Sequence, residues 1–90
     1  MSTVRIPPVL RAAAGGEKTV SVDGATVGQV LGSLAERYPA LRDQLFAPDG
    51  TLNRFVNVYV DGRDVRYEEG LDTAVAPHDT VIVLPAMAGG

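Results

Sequence analysis

The sequence predicts an α+β fold, in which a mixed sheet of about four to five strands packs on one main helix. Two observations support this prediction. Segments in which apolar and polar residues alternate, as in half-buried strands, recur along the 90-residue chain. Between them, one segment carries apolar residues at helical spacing, as in an amphipathic helix. Hydrophobic residues make up 46 % of the chain, which is enough for one small core.

The first two elements are predicted strands. Val4 and Ile6 alternate with polar neighbours, and the alternation resumes at residues 18–22. The glycine pair at 15–16 lies between these segments, so we expect an antiparallel hairpin. The prolines at 7–8 should limit pairing at the far end of the first strand.

The main helix is predicted to begin after Thr26. Its hydroxyl can accept a hydrogen bond from the backbone N–H of Gln29 while the Gln29 side chain reaches back, which is a capping box. Pro39 should end the helix near Tyr38. The apolar residues at helical spacing form one stripe and are Val27, Val30, Leu31, Leu34 and Tyr38.

The second half of the chain begins with less regular segments. Residues 41–46 could add a short helical turn, and residues 47–53 form a loop that contains Pro48 and an Asp-Gly pair. Residues 55–60 are the clearest strand, because valines alternate with other residues along it.

A turn and a last strand complete the predicted sheet. Asp61 and Gly62 are typical of a type I′ turn, so residues 64–66 should pair back with the preceding strand. Residues 71–76 could form one more helical turn. Residues 79–84 form the last strand and lead directly into the C-terminal segment.

The last strand predicts an exposed apolar patch. Val81 and Val83 can point under the helix, as can valines of the other strands. The opposite parity then faces the side of the sheet that one helix leaves uncovered, and such patches often mark partner surfaces. The predicted docking patch consists of Tyr59, Ile82, Leu84 and Phe55. Alternatively, the loops at 7–16 or 41–54 cover these side chains.

Composition argues against several classes of function. The chain has no cysteine and one histidine, so a thiol nucleophile or a His/Cys metal cluster is not expected. A formal net charge of −3 disfavours nucleic acid as a partner. No signal peptide or membrane-spanning stretch is evident, and a cytoplasmic location is expected. His78 and the Glu68–Glu69 pair are interpreted as solvated loop residues. We therefore expect a non-catalytic protein that binds no metal and no cofactor.

The C-terminal segment is the most unusual part of the sequence. Pro85 is expected to end the strand pairing and the domain at residues 1–85, and residues 86–90 form a flexible tail. The tail residues are Ala86, Met87, Ala88, Gly89 and Gly90. Five residues extend at most about 17 Å, and glycines can pass a narrow channel. The terminal carboxylate could therefore enter the active site of another protein.

Three stretches resemble a known family: RFVNVYVDGRDVRY at 54–67, GLDTAV at 70–75 and DTVIVLPAMAGG at 79–90. They are similar to the ubiquitin-like sulfur-carrier family (MoaD/ThiS). The first stretch and the opening VRIPPVLR most resemble its CysO-type branch, the sulfur carriers of a cysteine pathway. The resemblance implies a β-grasp fold, with the first and last strands parallel at the centre of the sheet. Ala86 and Met87 depart from the molybdopterin branch, which often has Pro-Val there.

The resemblance also implies a mechanism. An E1-like adenylyltransferase and sulfurtransferase of the MoeB/ThiF type would use ATP to adenylate Gly90, and a sulfur donor would convert it to a thiocarboxylate. In the CysO-type branch, a PLP-dependent synthase would accept the sulfur, and a metal-dependent peptidase would release the product. ATP, PLP and metal would belong to those partners, not to this chain.

Other functions remain open at the level of sequence. The chain could be the small subunit of molybdopterin synthase, whose tail enters a larger catalytic subunit. It could be a ubiquitin-like tag that is joined to target lysines through Gly90. It could also be a plain interaction domain in which the terminal glycines have no chemical role.

Overall fold

A mixed five-stranded sheet forms one layer of the protein, which a computed structural model describes over residues 1–86. Its strands are β1 (Ser2–Arg5), β2 (Thr19–Val22), β3 (Val56–Val60), β4 (Arg63–Asp64) and β5 (Thr80–Pro85). Their order across the sheet is β2-β1-β5-β3-β4. β1 and β5 are parallel neighbours, and the other neighbouring strands are antiparallel. The predicted α+β class and the central parallel pair are therefore confirmed.

Helices form the second layer and the connections. They are α1 (Pro8–Arg11), α2 (Val27–Arg37) and α3 (Arg42–Leu45), with 3₁₀ helices at Ala12–Ala14, Pro39–Leu41, Val65–Tyr67 and Gly70–Asp72. α2 is the predicted main helix, and α3 falls within the helical turn expected at 41–46. Pro39 opens the 3₁₀ helix that follows α2, as its role as a helix terminator requires.

The capping box at the start of α2 is confirmed. The backbone N–H of Gln29 donates to Thr26 Oγ1 at 3.2 Å. The Gln29 side chain accepts from the backbone N–H of Ala25 at 2.8 Å, so it satisfies a donor one residue before the cap. Both bonds fix the point at which α2 leaves the loop after β2.

The core lies between α2 and one face of the sheet. The helix contributes five fully buried side chains, which are Val27, Val30, Leu31, Leu34 and Ala35. The central strands contribute Val4, Val58, Val81 and Val83, each no more than 1 % exposed. Because alternate residues of a strand point to opposite faces of the sheet, the residues between these valines lie on the outer face.

The connection between β1 and β2 differs from the simple glycine-bearing loop that we expected. It contains α1 and the Ala12–Ala14 3₁₀ helix before Gly15 and Gly16 turn the chain at φ values of 65° and 84°. Pro8 is the first residue of α1, where a missing N–H breaks no helical hydrogen bond. The pairing of β1 with β2 is nevertheless antiparallel, as predicted.

The turn after β3 is confirmed, but the returning strand is shorter than predicted. Asp61 and Gly62 have φ values of 49° and 84°, as a type I′ turn requires. β4 pairs back with β3 through Arg63 and Asp64 alone, so the predicted pairing is confirmed at Asp64 and wrong at residues 65–66. The Asp64 side chain accepts from the backbone N–H of Arg66 at 2.9 Å and starts a 3₁₀ helix instead.

The predicted helical turn at 71–76 is also mostly wrong. A 3₁₀ helix covers Gly70–Asp72, and the chain then extends. Ala74 forms an isolated antiparallel bridge with Thr26, and the Val75 N–H donates to the Ala25 carbonyl at 2.9 Å. Backbone groups of residues 74–75 thus bond to the loop before α2, and not to one another as they would in a helix.

Candidate functional site

The base of the C-terminal tail is held by the sheet. Pro85 is the last residue of β5 and the Cα partner of Val56. The backbone N–H of Ala86 donates to the Phe55 carbonyl at 2.7 Å. The expectation that Pro85 ends the pairing is therefore wrong, because proline removes only its own donor and the next N–H still reaches the neighbouring strand. The last strand also runs to residue 85 rather than 84.

The predicted reactive end lies outside the described residues. Gly90 was expected to be the adenylation site, with Gly89, Ala88 and Met87 as the tail before it. Of the five predicted tail residues, the structure describes only Ala86, which is half-buried. The division into a domain at 1–85 and a tail at 86–90 therefore stays a prediction.

Arg66 anchors the segment that receives Ala86, a role that no pattern in the sequence indicates. Its guanidinium donates to the Val56 carbonyl at 2.7 Å, to the Asn53 carbonyl at 3.2 Å and to the Asn57 side chain. The Asn53 side chain in turn accepts from the Phe55 N–H at 2.9 Å. These bonds hold the residues around Phe55 in position beside the end of β5.

Most of the predicted docking patch comes together on the outer face of the sheet. Tyr59 and Ile82 are Cα partners in the antiparallel pair of β3 and β5. Leu84 lies on the same face, two residues after Ile82, and is 42 % exposed. Tyr59 and Ile82 are half-buried. The loops at 7–16 and 41–54 thus leave part of this apolar surface accessible.

Phe55 lies at the margin of this group. It directly precedes β3 and is 60 % exposed. It lines a 390 Å³ cavity with residues of the loop before β3, including Phe46 and Leu52. The guanidinium carbon of Arg54 lies 5.4 Å from the Phe55 ring centroid, a cation–π distance.

A second cavity borders the patch. It measures 260 Å³ and lies between the end of β1, the start of α1 and the end of β5. Ile82 and Leu84 line it together with Arg5 and Arg11, and Arg5 is the Cα partner of Ile82. Arg11 Nε donates to the Ile6 carbonyl at 3.0 Å, which fixes the orientation of that guanidinium.

The acid–base candidates do not form a catalytic group. His78 is exposed at a φ of 74°, and its backbone N–H donates to the Met1 carbonyl at 3.3 Å. Glu68 and Glu69 are both exposed, and a Glu68 carboxylate oxygen lies 3.7 Å from Arg63 Nε. Solvated groups of this kind lack the separate environments that an acid–base pair needs.

Two further properties concern residues 1–86. Within this range, no group of three or more His, Asp or Glu side chains lies close enough together to hold a metal ion. No helix in the same range has both the length and the apolar character that a membrane span requires.

Known proteins resemble this chain in sequence and in structure. Residues 4–90 match the ThiS family. The chain is 48 % identical over 90 residues to the sulfur carrier protein CysO of Mycobacterium tuberculosis, a match that covers 98 % of this chain and 97 % of that protein. The crystal structure of M. tuberculosis CysO has a TM-score of 0.90 at 45 % identity, over 97 % of this chain and 100 % of the other.

Two other solved structures are similar. A chain in the crystal structure of the Amycolatopsis orientalis BexX/CysO complex has a TM-score of 0.91 at 42 % identity and covers 100 % of both chains. The small archaeal modifier protein 1 of Haloferax volcanii has a TM-score of 0.79 at 31 % identity, over 96 % of this chain and 97 % of that one.

The order of strands and these neighbours define the class of protein, which is the ubiquitin-like β-grasp class. Within that class, the family match extends over nearly the whole sequence. The chain belongs to the ThiS family.

Proposed function

We propose that this chain is a sulfur carrier of the CysO type whose Gly90 carboxylate is converted to a thiocarboxylate. The observation that carries the proposal is the 48 % identity to CysO over 98 % of the chain. The family match runs through Gly90 itself. The chain would act as a protein co-substrate in the cytoplasm, where ATP is available, and its partners would perform the catalysis.

The chemistry requires activation because a carboxylate is a poor electrophile. In the proposed sequence, a carboxylate oxygen of Gly90 attacks the α-phosphorus of ATP, and pyrophosphate leaves. A sulfur nucleophile then attacks the acyl carbon, and AMP leaves with its oxygen. The partner supplies ATP and the sulfur donor. This chain supplies a carboxylate on a narrow end and a surface by which the partner recognises it.

Geometry supports delivery of the carboxylate from a fixed base. Ala86 is hydrogen-bonded to Phe55. Residues 87–90 would therefore span the distance between the sheet and the active site of the partner. Four residues extend at most about 14 Å. The absence of side chains at Gly89 and Gly90 would let this end enter a narrow channel.

We propose three classes of partner. An E1-like adenylyltransferase of the MoeB/ThiF type would dock on the patch of Tyr59, Ile82, Leu84 and Phe55. A PLP-dependent synthase would accept the sulfur, and a metal-dependent peptidase would release the product from Gly90. A related CysO forms a complex with BexX, which supports recognition of such carriers by another protein.

Protein modification through Gly90 is the second candidate. The similarity to small archaeal modifier protein 1 favours it. Both functions share the acyl-adenylate and differ in the nucleophile, since a target lysine would replace sulfide and form an isopeptide bond.

The deciding experiment is intact-mass analysis. The purified chain is incubated with ATP, sulfide and the E1-like enzyme of its host, and a parallel reaction omits ATP. We expect a mass gain equal to exchange of one oxygen for sulfur, dependent on ATP and located on Gly90. An unchanged mass contradicts the sulfur-carrier proposal, and isopeptide adducts in host extract would favour the modifier function.

A further inference from the structure

The cavity between β1, α1 and β5 is a positively charged groove on an acidic protein. Arg5 and Arg11 line it, together with Pro7, Ile82 and Leu84, and none of its lining residues is acidic. The chain as a whole has a formal net charge of −3. The positive charge of this groove is therefore a local property of the site.

Neither arginine is neutralised by the described part of the protein. Over residues 1–86, the ion pairs within 4 Å join the N-terminus to Asp23 and Arg63 to Glu68. Arg5 is exposed, and its Cα partner across the parallel pair is Ile82, so it stands beside the apolar patch. Both guanidinium groups keep donors that can bind an external acceptor.

The groove is arranged for a carboxylate. The bond from Arg11 Nε to the Ile6 carbonyl holds the guanidinium in place and leaves its two terminal nitrogens available. Pro7 has no N–H, so the arginines are the main donors at this wall. A guanidinium fork matches the two oxygens of a carboxylate, and prior ordering of the fork reduces the entropy lost on binding.

We propose that this groove receives an acidic side chain, flanked by an apolar residue, from the E1-like enzyme that activates Gly90. The inference rests on the proposed function and specifies the chemistry of the partner surface. Two observations support it: the arginines of the groove face no acidic lining residue, and the groove is continuous with Ile82 and Leu84 of the proposed docking patch. Leu84 lies two residues before Ala86, so a carboxylate bound here would fix the distance between the partner and the tail.

The test measures binding of this chain to the E1-like enzyme of its host by titration calorimetry without nucleotide. Arg5→Glu and Arg11→Gln are the test variants, and glutamine keeps a donor for the Ile6 carbonyl. We expect Kd to rise about tenfold or more for Arg5→Glu and severalfold for Arg11→Gln. We also expect the Kd of both variants to depend less on salt concentration than the Kd of the wild-type chain does. Unchanged melting temperatures verify that both variants fold.

Arg42→Glu is the matched control. It makes the same change of charge on the exposed face of α3, away from the groove, and should leave Kd within about twofold. If Arg42→Glu and Arg5→Glu raised Kd equally, the net charge of the chain would explain both effects, and the inference would be overturned. Unchanged Kd in both groove variants, or no binding of the wild-type chain, would also overturn it.

A second measurement separates this inference from the proposed function. Thiocarboxylate formation is followed at several concentrations of the chain. The inference predicts that Arg5→Glu raises the KM for the chain, leaves kcat close to wild type and leaves the KM for ATP unchanged. A raised KM for ATP would indicate that the arginines bind nucleotide and would contradict it. Failure of the wild-type chain to form thiocarboxylate despite normal binding would instead count against the proposed function alone.

Discussion

The backbone N–H of Ala86 donates to the carbonyl of Phe55 at 2.7 Å, so the hydrogen bonding of the sheet continues past Pro85. The bond joins the base of the tail to a segment that Arg66 holds through the Val56 and Asn53 carbonyls. Changes after Ala86 therefore leave these bonds in place, and tail chemistry and domain stability can be tested separately.

The first prediction concerns the reactive end. Gly90→Val, or one residue added after Gly90, should abolish adenylation because the carboxylate is displaced or hindered. Both changes follow Ala86, the last residue that is hydrogen-bonded to the sheet within residues 1–86, so we expect the melting temperature to stay within about 2 °C of wild type. ATP–pyrophosphate exchange with the host's E1-like enzyme measures the first effect and calorimetry the second. Exchange at the wild-type rate would contradict the role of Gly90.

The second prediction concerns the docking patch. Leu84→Glu should weaken binding to the E1-like enzyme more than tenfold, because it replaces an apolar contact with a carboxylate beside Arg5 and Arg11, where it would compete with the acidic side chain of the partner. Leu84 is 42 % exposed in the free chain, so little stability should be lost. Ala40→Glu, at an exposed position after α2, is the control and should bind as wild type does. Equal Kd values for Leu84→Glu and wild type would exclude Leu84 from the interface.

The third prediction compares two glycines near α2. A Cβ at Gly24 would lie 2.7 Å from the Val30 backbone nitrogen, whereas a Cβ at Gly32 would meet nothing within 4 Å. Gly32→Ala should therefore stabilise the protein by about 0.5–1 kcal/mol through helix propensity. Gly24→Ala should destabilise it by about 1–3 kcal/mol through overpacking. Urea unfolding measures both, and a gain in stability for Gly24→Ala would contradict the packing argument.

Elements that depend on local pattern could be predicted well from the sequence. The α2 stripe and its Thr26–Gln29 cap are encoded within a few residues, and the Asp61–Gly62 turn needs only its own backbone angles. Alternation predicts the strand faces, with Val81 and Val83 in the core and Ile82 and Leu84 on the outer face, and the structure confirms it. The pairing of β1 with β5 needed the resemblance to a family, because periodicity does not specify strand neighbours.

Features that depend on tertiary contacts could not be predicted. Pro8 predicts only that the pairing of β1 is limited at its far end. In the structure it begins α1, because its fixed φ and missing N–H suit the first position of a helix. The bridge between Thr26 and Ala74 joins segments far apart in sequence, and it replaced a predicted helical turn. The same holds for the site. The sequence pattern places Arg66 in a returning strand, and only the fold shows that its side chain reaches the Val56 carbonyl.

The last prediction concerns the loop before β3. Two hydrogen bonds lower the pKa of the Asp49 carboxyl, first from the Thr51 hydroxyl at 2.6 Å and then from the Thr51 backbone N–H at 3.1 Å. Because this pKa is lowered in the folded state, ionisation of Asp49 stabilises the fold. This contribution to the free energy of unfolding is present above the unfolded-state pKa of about 3.9. It is lost as pH falls through the folded-state pKa.

Thr51→Val should raise the Asp49 pKa toward its ordinary value, and Thr51→Ser should not. NMR titration of the Asp49 carboxyl carbon measures both, and an identical pKa in the valine and serine variants would show that the hydroxyl does not lower it.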